Sequence, residues 1–282
     1  MKALNVFCLA VLIGILGFAH SSALDDESLT VLRQGKSFIP TVVYSEEEDL
    51  GLLKLFEGLR VADVSDGMDK CGLHGIGLVD TQISPLWKDC EFFTHRVSGI
   101  AVTARYVPTQ RPPAGQMEPA EFDEWEGNFY THYSSEPFVD IIRKGTVLVL
   151  DDANDADVGS IGSYNIMDWA SRGCVGVVTD ASARDTDEII AVKIPLYMRK
   201  VGRGIRPGRN EIESVNRPVE IGGALVKPGD VIVADGDGVI VVPREQAKKV
   251  ALFAREIMEK DKEGRRELFK KLGIPLDKSV KK

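Results

Sequence analysis

Cysteine is scarce in this chain, and the scarcity excludes a scaffold. Four cysteines are spread over 282 residues, and one of them, Cys8, lies in an N-terminal apolar run. The other three, Cys71, Cys90 and Cys174, form an odd set without short spacing. That is not a disulfide framework. A Cys71–Cys90 bridge stays open for an oxidising compartment, while Cys174 opens an apolar run and reads as a core residue. Histidine is equally sparse. His20, His74, His95 and His132 show no zinc spacing, and there is no C-x-x-C. Cations do not exceed anions: 35 Lys and Arg against 43 Asp and Glu leave a formal charge of −8. A basic groove for nucleic acid is therefore not expected.

Several enzyme motifs are missing too. Gly159-Ser160-Ile161-Gly162 lacks the spacing of a nucleophile elbow. No strand feeds Gly72 to Gly77, so it is not a dinucleotide fingerprint. The run from Asp155 through Asp157 lacks the glycine and glutamate of a calcium loop, with Ile166 where the glutamate would stand.

What is present begins with a leader. Lys2 precedes the apolar run Val6 to Phe18, and Ala19-His20-Ser21-Ser22-Ala23 follows. Small residues at Ser21 and Ala23 fit cleavage after Ala23. The run is too short for a membrane span. Residues 1–23 are expected to be a signal peptide and the mature protein to be exported, periplasmic or secreted, with no membrane attachment after cleavage. The competing reading is a buried N-terminal helix. Over the full sequence, 44% hydrophobic and 28% charged residues describe an ordinary soluble globular chain.

Periodicity then gives the elements. Helices are expected over Glu46 to Leu59 and within Leu59 to Leu73, the latter capped by Asp63 or Ser65 and stopped at Gly72. Asp63, Asp66 and Asp69 lie on one helical face. Metal ligation and a capped, solvated face are both open there, the second being expected. Gly99 to Val107 alternates like a strand. Residues 108–137, rich in Pro, Gly, Glu and aromatics, read as an inserted surface loop, either a lid or a small core of its own. Lys200 to Arg217 reads as a basic, Gly-rich loop, and Val219 to Val226 as one strand. Val231 to Ala234 and Val239 to Val242 form a hairpin turning at Asp235-Gly236-Asp237-Gly238. Arg244 to Leu272 is a long charged helix interrupted near Gly264. Its narrow apolar face, Val250, Phe253, Ile257 and Leu268, would pack on its own sheet or on a neighbouring subunit.

Gly145 to Asp185 carries the chemistry. Thr146 to Leu150 and Cys174 to Thr179 read as buried strands. Between them a helix runs from Gly162 to Arg172, with Ser163 as its cap and Gly173 as its stop. This strand–helix–strand unit is parallel and right-handed by strong default. Both strands therefore end at one sheet edge. Free N–H groups at Gly162, Ser163, Tyr164 and Asn165 would meet Arg184 and Asp185 there, in the crevice where such folds bind ligands.

Four blocks in order resemble the regulator-of-ribonuclease-activity-A (RraA)-like family, which includes metal-dependent 4-hydroxy-4-methyl-2-oxoglutarate aldolases. They are Leu59 to Leu73 with Asp63-Val64-Ser65-Asp66, Ser171 to Asp185, Val226 to Pro243, and the charged C-terminal helix. The resemblance runs from Leu50 to Gly273. It implies an α/β fold of the swivelling β/β/α type: a catalytic domain over residues 24–243 with the 108–137 insertion, and a helical arm over 244–282. It implies a homo-oligomer, a trimer or hexamer. Arg184 would bind substrate, Asp185 would ligate Mg²⁺ or Mn²⁺, and Gly162 to Asn165 would hold a carboxylate. Ser163 stands where many aldolase members carry an acid, and Ala181 where glycine is usual. A neighbouring subunit would donate a further carboxylate, with Asp261 and Glu263 the candidates. The implied activity is cleavage of a small 2-oxo acid through a pyruvate enolate, by retro-aldol reaction or oxaloacetate decarboxylation. The alternative is a non-catalytic binding or regulatory protein of the same fold. On spacing alone, Arg184 and Asp185 are equally read as a local ion pair capping the next helix.

Overall fold

The computed structural model describes residues 34–35, 39–152 and 157–281. The expected leader lies outside them. Helix α1 (Glu46–Phe56) opens on a capping box, with Glu48 N–H donating to Ser45 Oγ at 3.2 Å and Ser45 N–H to the Glu48 carboxylate at 2.8 Å. Helix α2 (Val61–Lys70) starts after Arg60. Asp63 does not precede this helix as a cap. It sits in the first turn and reaches back, accepting Arg60 N–H at 3.1 Å and Arg60 Nε at 2.8 Å.

Strands β1 (Ser84–Pro85) and β2 (Val97–Pro108) follow. The segment expected to be a plain loop then contains helix α3 (Pro119–His132) and ends at a 3-10 turn, Pro137–Ile141. Phe122, Trp125, Phe129 and Tyr133 stack along α3 with successive centroids 5.5, 5.7 and 5.2 Å apart. Their three- and four-residue spacing is a helical signal that the surrounding Pro and Gly obscure. Next come β3 (Thr146–Asp151), α4 (Ser163–Ser171), β4 (Cys174–Thr179), β5 (Ser182–Ala183), α5 (Thr186–Val192), β6 (Leu196–Met198) and β7 (Lys200–Val201). Then follow β8 (Asn210–Val215), β9 (Val219–Ile221), β10 (Ala224–Val226), β11 (Val231–Asp235), β12 (Gly238–Val242) and α6 (Arg244–Leu272).

Three expectations change here. The basic stretch expected as a loop contains β8, which pairs antiparallel with the outer half of β2. The single strand expected over Val219 to Val226 is a hairpin of β9 and β10, with Ile221 opposite Ala224. The long helix passes Gly264 unbroken.

The main sheet runs β1-β6-β4-β3-β2-β11-β12. Strands β6, β4, β3 and β2 are parallel, and β1, β11 and β12 join antiparallel. Its terminal strands β1 and β12 lie against each other, so the sheet is nearly closed. Alternation along the strands sorts side chains to two sides. Val147, Val149, Ile232, Ala234, Val239 and Val241 face an inner core shared with the β9–β10 hairpin. Leu148 and Leu150 face α4, whereas Val231, Val233, Ile240 and Val242 face α1, α2 and α6. This layering is the β/β/α arrangement.

Helix α6 buries Ala247, Val250, Ala251, Ala254 and Met258 against its own chain. The buried face is thus richer in alanine than expected, and Leu268 is exposed. Small residues win because the helices approach closely: a Cβ on Gly67 of α2 would lie 2.8 Å from the Val250 carbonyl oxygen. Cys71, Cys90 and Cys174 are free thiols, so no Cys71–Cys90 bridge forms. No described helix is long and apolar enough to cross a membrane.

Candidate active site

Strands β3 and β4 lie in parallel register, with Leu150 beside Thr179, so both end at the same edge. Their following loops are clamped together by backbone bonds. Arg184 N–H donates to Ile161 O at 2.8 Å, and Ser160 N–H to Ser182 O at 3.1 Å. Arg184 and Asp185 are thereby held beside the N-terminus of α4.

The meeting point is Gly162. A Cβ there would fall 2.9 Å from Asp185 Oδ2, 3.3 Å from Asn165 Oδ1 and 3.7 Å from Arg184 Nε. Three polar tips thus converge above a residue with no side chain. Gly159 serves the same end, because a Cβ there would sit 2.6 Å from Arg184 Cβ. Asp185 holds a left-handed backbone, φ 55°, which aspartate tolerates better than most residues.

Two details differ from expectation. Gly162, not Ser163, is the N-cap of α4. The first helical N–H is not free either: Ser163 N–H donates to Asp185 Oδ2 at 3.1 Å, and Ser163 Oγ lies 3.3 Å from the same oxygen. The carboxylate takes this position because an α-helix N-terminus attracts negative charge. The cradle left for a ligand is therefore the N–H of Tyr164 and Asn165, in the turn where a helix lacks internal acceptors. Asp185 occupies the N-cap position of α5 but makes no side-chain cap bond there. Its Oδ1 is 3.9 Å from Arg184 Nε, too long for a hydrogen bond. The reading of the pair as a helix cap thus loses its geometry.

Sequence spacing missed the residues that support this corner. The Glu136 carboxylate accepts from Asn165 Nδ2 at 2.8 Å, from Trp169 Nε1 at 2.9 Å, and from the Arg206 guanidinium. Arg206 is almost fully buried. It donates to Tyr106 Oη at 2.7 Å and lies 5.4 Å from the Tyr130 ring centroid. Above this group opens a cleft of about 480 Å³, lined by Tyr130, Ser134, Glu136, Tyr164, Asn165, Arg184 and Arg206. Glu136 and Arg206 come from stretches without period, so only the fold reveals them.

Two buried carboxyls, Asp152 and Asp180, stand at the ends of β3 and β4. Asp152 N–H donates to Asp180 Oδ1 at 3.0 Å. Asp152 Oδ2 accepts from Asn210 Nδ2 at 2.8 Å and from Ser160 Oγ, while its Oδ1 is buried without a partner. Burial pushes both acids up to about 6. A carboxyl whose folded value lies above its unfolded one stabilises the fold fully only at low pH. That contribution is lost as pH rises from the ordinary carboxylate range through about 6. Asp180→Asn keeps the acceptor for Asp152 N–H and removes the titration. It is expected to flatten thermal stability across that window, raising Tm at pH 7 relative to wild type. An unchanged Tm-versus-pH profile would show that Asp180 does not titrate there.

On the acidic face of α2 two of the three carboxylates already have partners. Asp63 is locked to Arg60, and Asp69 Oδ1 lies 3.1 Å from His74 Nδ1. Asp261 pairs with Arg60 and Arg265 of its own chain. Among the described residues no group of three or more His, Cys, Asp or Glu could hold a metal ion. At Gly162 the donors are one half-exposed carboxylate, Asp185, with the neutral oxygens of Ser163 and Asn165 nearby. That set does not fit zinc. It fits a hard cation that keeps several waters, such as Mg²⁺ or Mn²⁺.

A family model described as Aldolase/RraA matches residues 61–241. Protein DlpA of Legionella pneumophila is 25% identical over 201 residues, 71% of this chain and 28% of that protein. A protein of Halalkalibacterium halodurans named "Putative 4-hydroxy-4-methyl-2-oxoglutarate aldolase" is 32% identical over 113 residues, 40% of this chain and 53% of that one. The matches thus span about half or less of these curated relatives. Among solved structures, Streptomyces coelicolor RraAS2, described as an unusual member of the RNase ES inhibitor RraA protein family, aligns with TM-score 0.59 and 21% identity. The alignment covers 80% of this chain and 99% of that one, and it is a likeness of fold.

Proposed function

Because the chain belongs to the RraA-like family, we propose that it is a carbon–carbon lyase acting on small 2-oxo acids. The observation that carries this reading is the convergence of Arg184, Asp185 and Asn165 over Gly162, beside an open cleft that Arg184 and Asn165 line. Asp185 would hold the divalent cation, which supplies Lewis acidity toward the substrate's 2-oxo group.

The chain's own groups do the rest. The N–H groups of Tyr164 and Asn165 hold the substrate carboxylate at the helix N-terminus. Arg184 directs its planar donor fork at the oxygen that gains charge. In retro-aldol cleavage the C3–C4 bond breaks and the C4 hydroxyl gives up its proton to solvent, leaving an aldehyde, or a ketone where C4 carries two carbon substituents. The electron pair moves onto the 2-oxo oxygen as an enolate, and a proton delivered from solvent to C3 yields pyruvate. In oxaloacetate the same bond breaks with loss of CO₂. Gly159 keeps the Arg184 stem flat against the loop, and Glu136 fixes Asn165, so the donors are in place beforehand.

We further propose a homo-oligomer, with the exposed second half of α6 as contact surface, and export directed by residues 1–23. The second reading is a non-catalytic binding protein of the same fold; the Arg184–Asp185 pair favours the enzyme. Purified protein with Mg²⁺ or Mn²⁺ is expected to release pyruvate from oxaloacetate or a 4-hydroxy-2-oxo acid, and a chelator to stop it. The absence of pyruvate across both substrate types would leave the binding-protein reading.

A further inference from the structure

The cleft has a near end and a far wall, and their charges differ. At the near end Arg184 is half exposed, and its contact with Asp185 is loose. The far wall, away from the atoms that meet at Gly162, is lined by Tyr130, Ser134 and Arg206. Arg206 is a cation, but not one that a ligand meets as a free charge. Its side chain is 6% exposed, its guanidinium is paired with Glu136, and it stacks between the Tyr106 and Tyr130 rings, 5.2 and 5.4 Å from their centroids. Glu136 in turn is filled by Asn165 and Trp169. No other Arg or Lys lines this cleft among the described residues. A second carboxylate reaching the far wall would lose its water to aromatic rings, hydroxyls and a neutralised pair. An uncharged tail would lose little and gain contact with Tyr130.

We infer that this site selects 2-oxo acids whose tail beyond C4 is uncharged, and discriminates against those that carry a second carboxylate there. The inference rests on the lyase reading and adds a substrate class to it. The inserted segment is what makes the choice, since Tyr130 and Ser134 belong to α3 and the turn after it, and Glu136 precedes the 3-10 turn. Specificity of this kind is a difference between two affinities, set as much by what the wall repels as by what it attracts.

The test compares 4-hydroxy-2-oxoheptanoate with 4-hydroxy-2-oxoheptanedioate, which differ only in methyl against carboxylate at C7. Pyruvate release is followed with the full-length protein and Mg²⁺ or Mn²⁺. Wild type is expected to favour the neutral tail by about tenfold or more in kcat/KM, the effect of one unfavourable desolvation. Glu136→Gln leaves Arg206 without its counter-ion and is expected to move the ratio toward the dianion. Tyr130→Arg, at a half-buried position, places a new cation on the wall and is expected to move it the same way. That second variant decides the matter if Glu136→Gln does not fold. Oxaloacetate ends at C4 and reports the lyase reading by itself. Pyruvate from oxaloacetate together with equal or dianion-favouring kcat/KM in wild type overturns the inference and leaves the lyase reading standing. A ratio that a folded variant does not move overturns it as well. No pyruvate from any of the three compounds removes both.

Discussion

Asp185→Asn is expected to lower pyruvate release by about 10²–10³-fold while the protein unfolds at the wild-type temperature. The carboxylate has two jobs that this substitution separates. One is electrostatic: its carboxylate meets Arg184 and Asn165 above Gly162. The other is structural, as acceptor for Ser163 N–H at 3.1 Å and Ser163 Oγ at 3.3 Å. Asparagine retains an acceptor oxygen and tolerates the left-handed backbone, so the turn survives. It loses the negative charge, and with it the ability to hold a divalent cation. Calorimetric titration with Mn²⁺ should therefore lose its signal in the same variant. Arg184→Ala should give a fall of similar size with metal binding retained, because the guanidinium acts on substrate and not on the cation. Wild-type turnover by Asp185→Asn would remove the proposed chemistry from this corner.

The second large effect is on stability. Trp169→Ala should cost about 3–5 kcal/mol of unfolding free energy. Trp169 is fully buried, and its ring meets Phe138 nearly perpendicular at 5.5 Å between centroids. It shares its core cluster with Ile166 of its own helix, Leu148 of β3 and Phe138 of the 3-10 turn, so filling the space would require several elements to move. The substitution also leaves Glu136 Oε2 without its indole donor, a partly buried charge that loses one of its bonds. Urea denaturation measures the change. A loss under about 1 kcal/mol would mean that the core collapses onto the cavity.

Much of this architecture is legible in the sequence, for a physical reason. Thr146–Asp151 and Cys174–Thr179 are short apolar runs bounded by Gly145 and Gly173, and buried parallel strands look like that. The topology then forces Arg184 and Asp185 to the edge where α4 begins. Other parts are hidden because their cause is tertiary. Strand β8 carries no alternation, since its residues are stabilised by pairing with β2 rather than by one buried face. Helix α3 is masked by flanking prolines and glycine. Ser163 looks like a cap by residue type, yet Gly162 takes that place because a side chain there would collide with Asp185. Glu136 and Arg206 are separated by seventy positions and meet only in the folded chain.

Glu136 has a consequence for how this protein varies. Its carboxylate joins residues 136, 165, 169 and 206, which sit on the insertion, on two turns of α4 and on a distant loop. A change at any one leaves the others with a donor or acceptor unspent, so the harm of two changes is not the sum of each alone. A neutral residue at 136 leaves the buried Arg206 cation without its counter-ion, and a neutral residue at 206 leaves the Glu136 carboxylate short of one, so each change costs less once the other has been made. The four positions therefore act as one unit: the insertion transplanted without residue 206 would bring a carboxylate that has lost its cation.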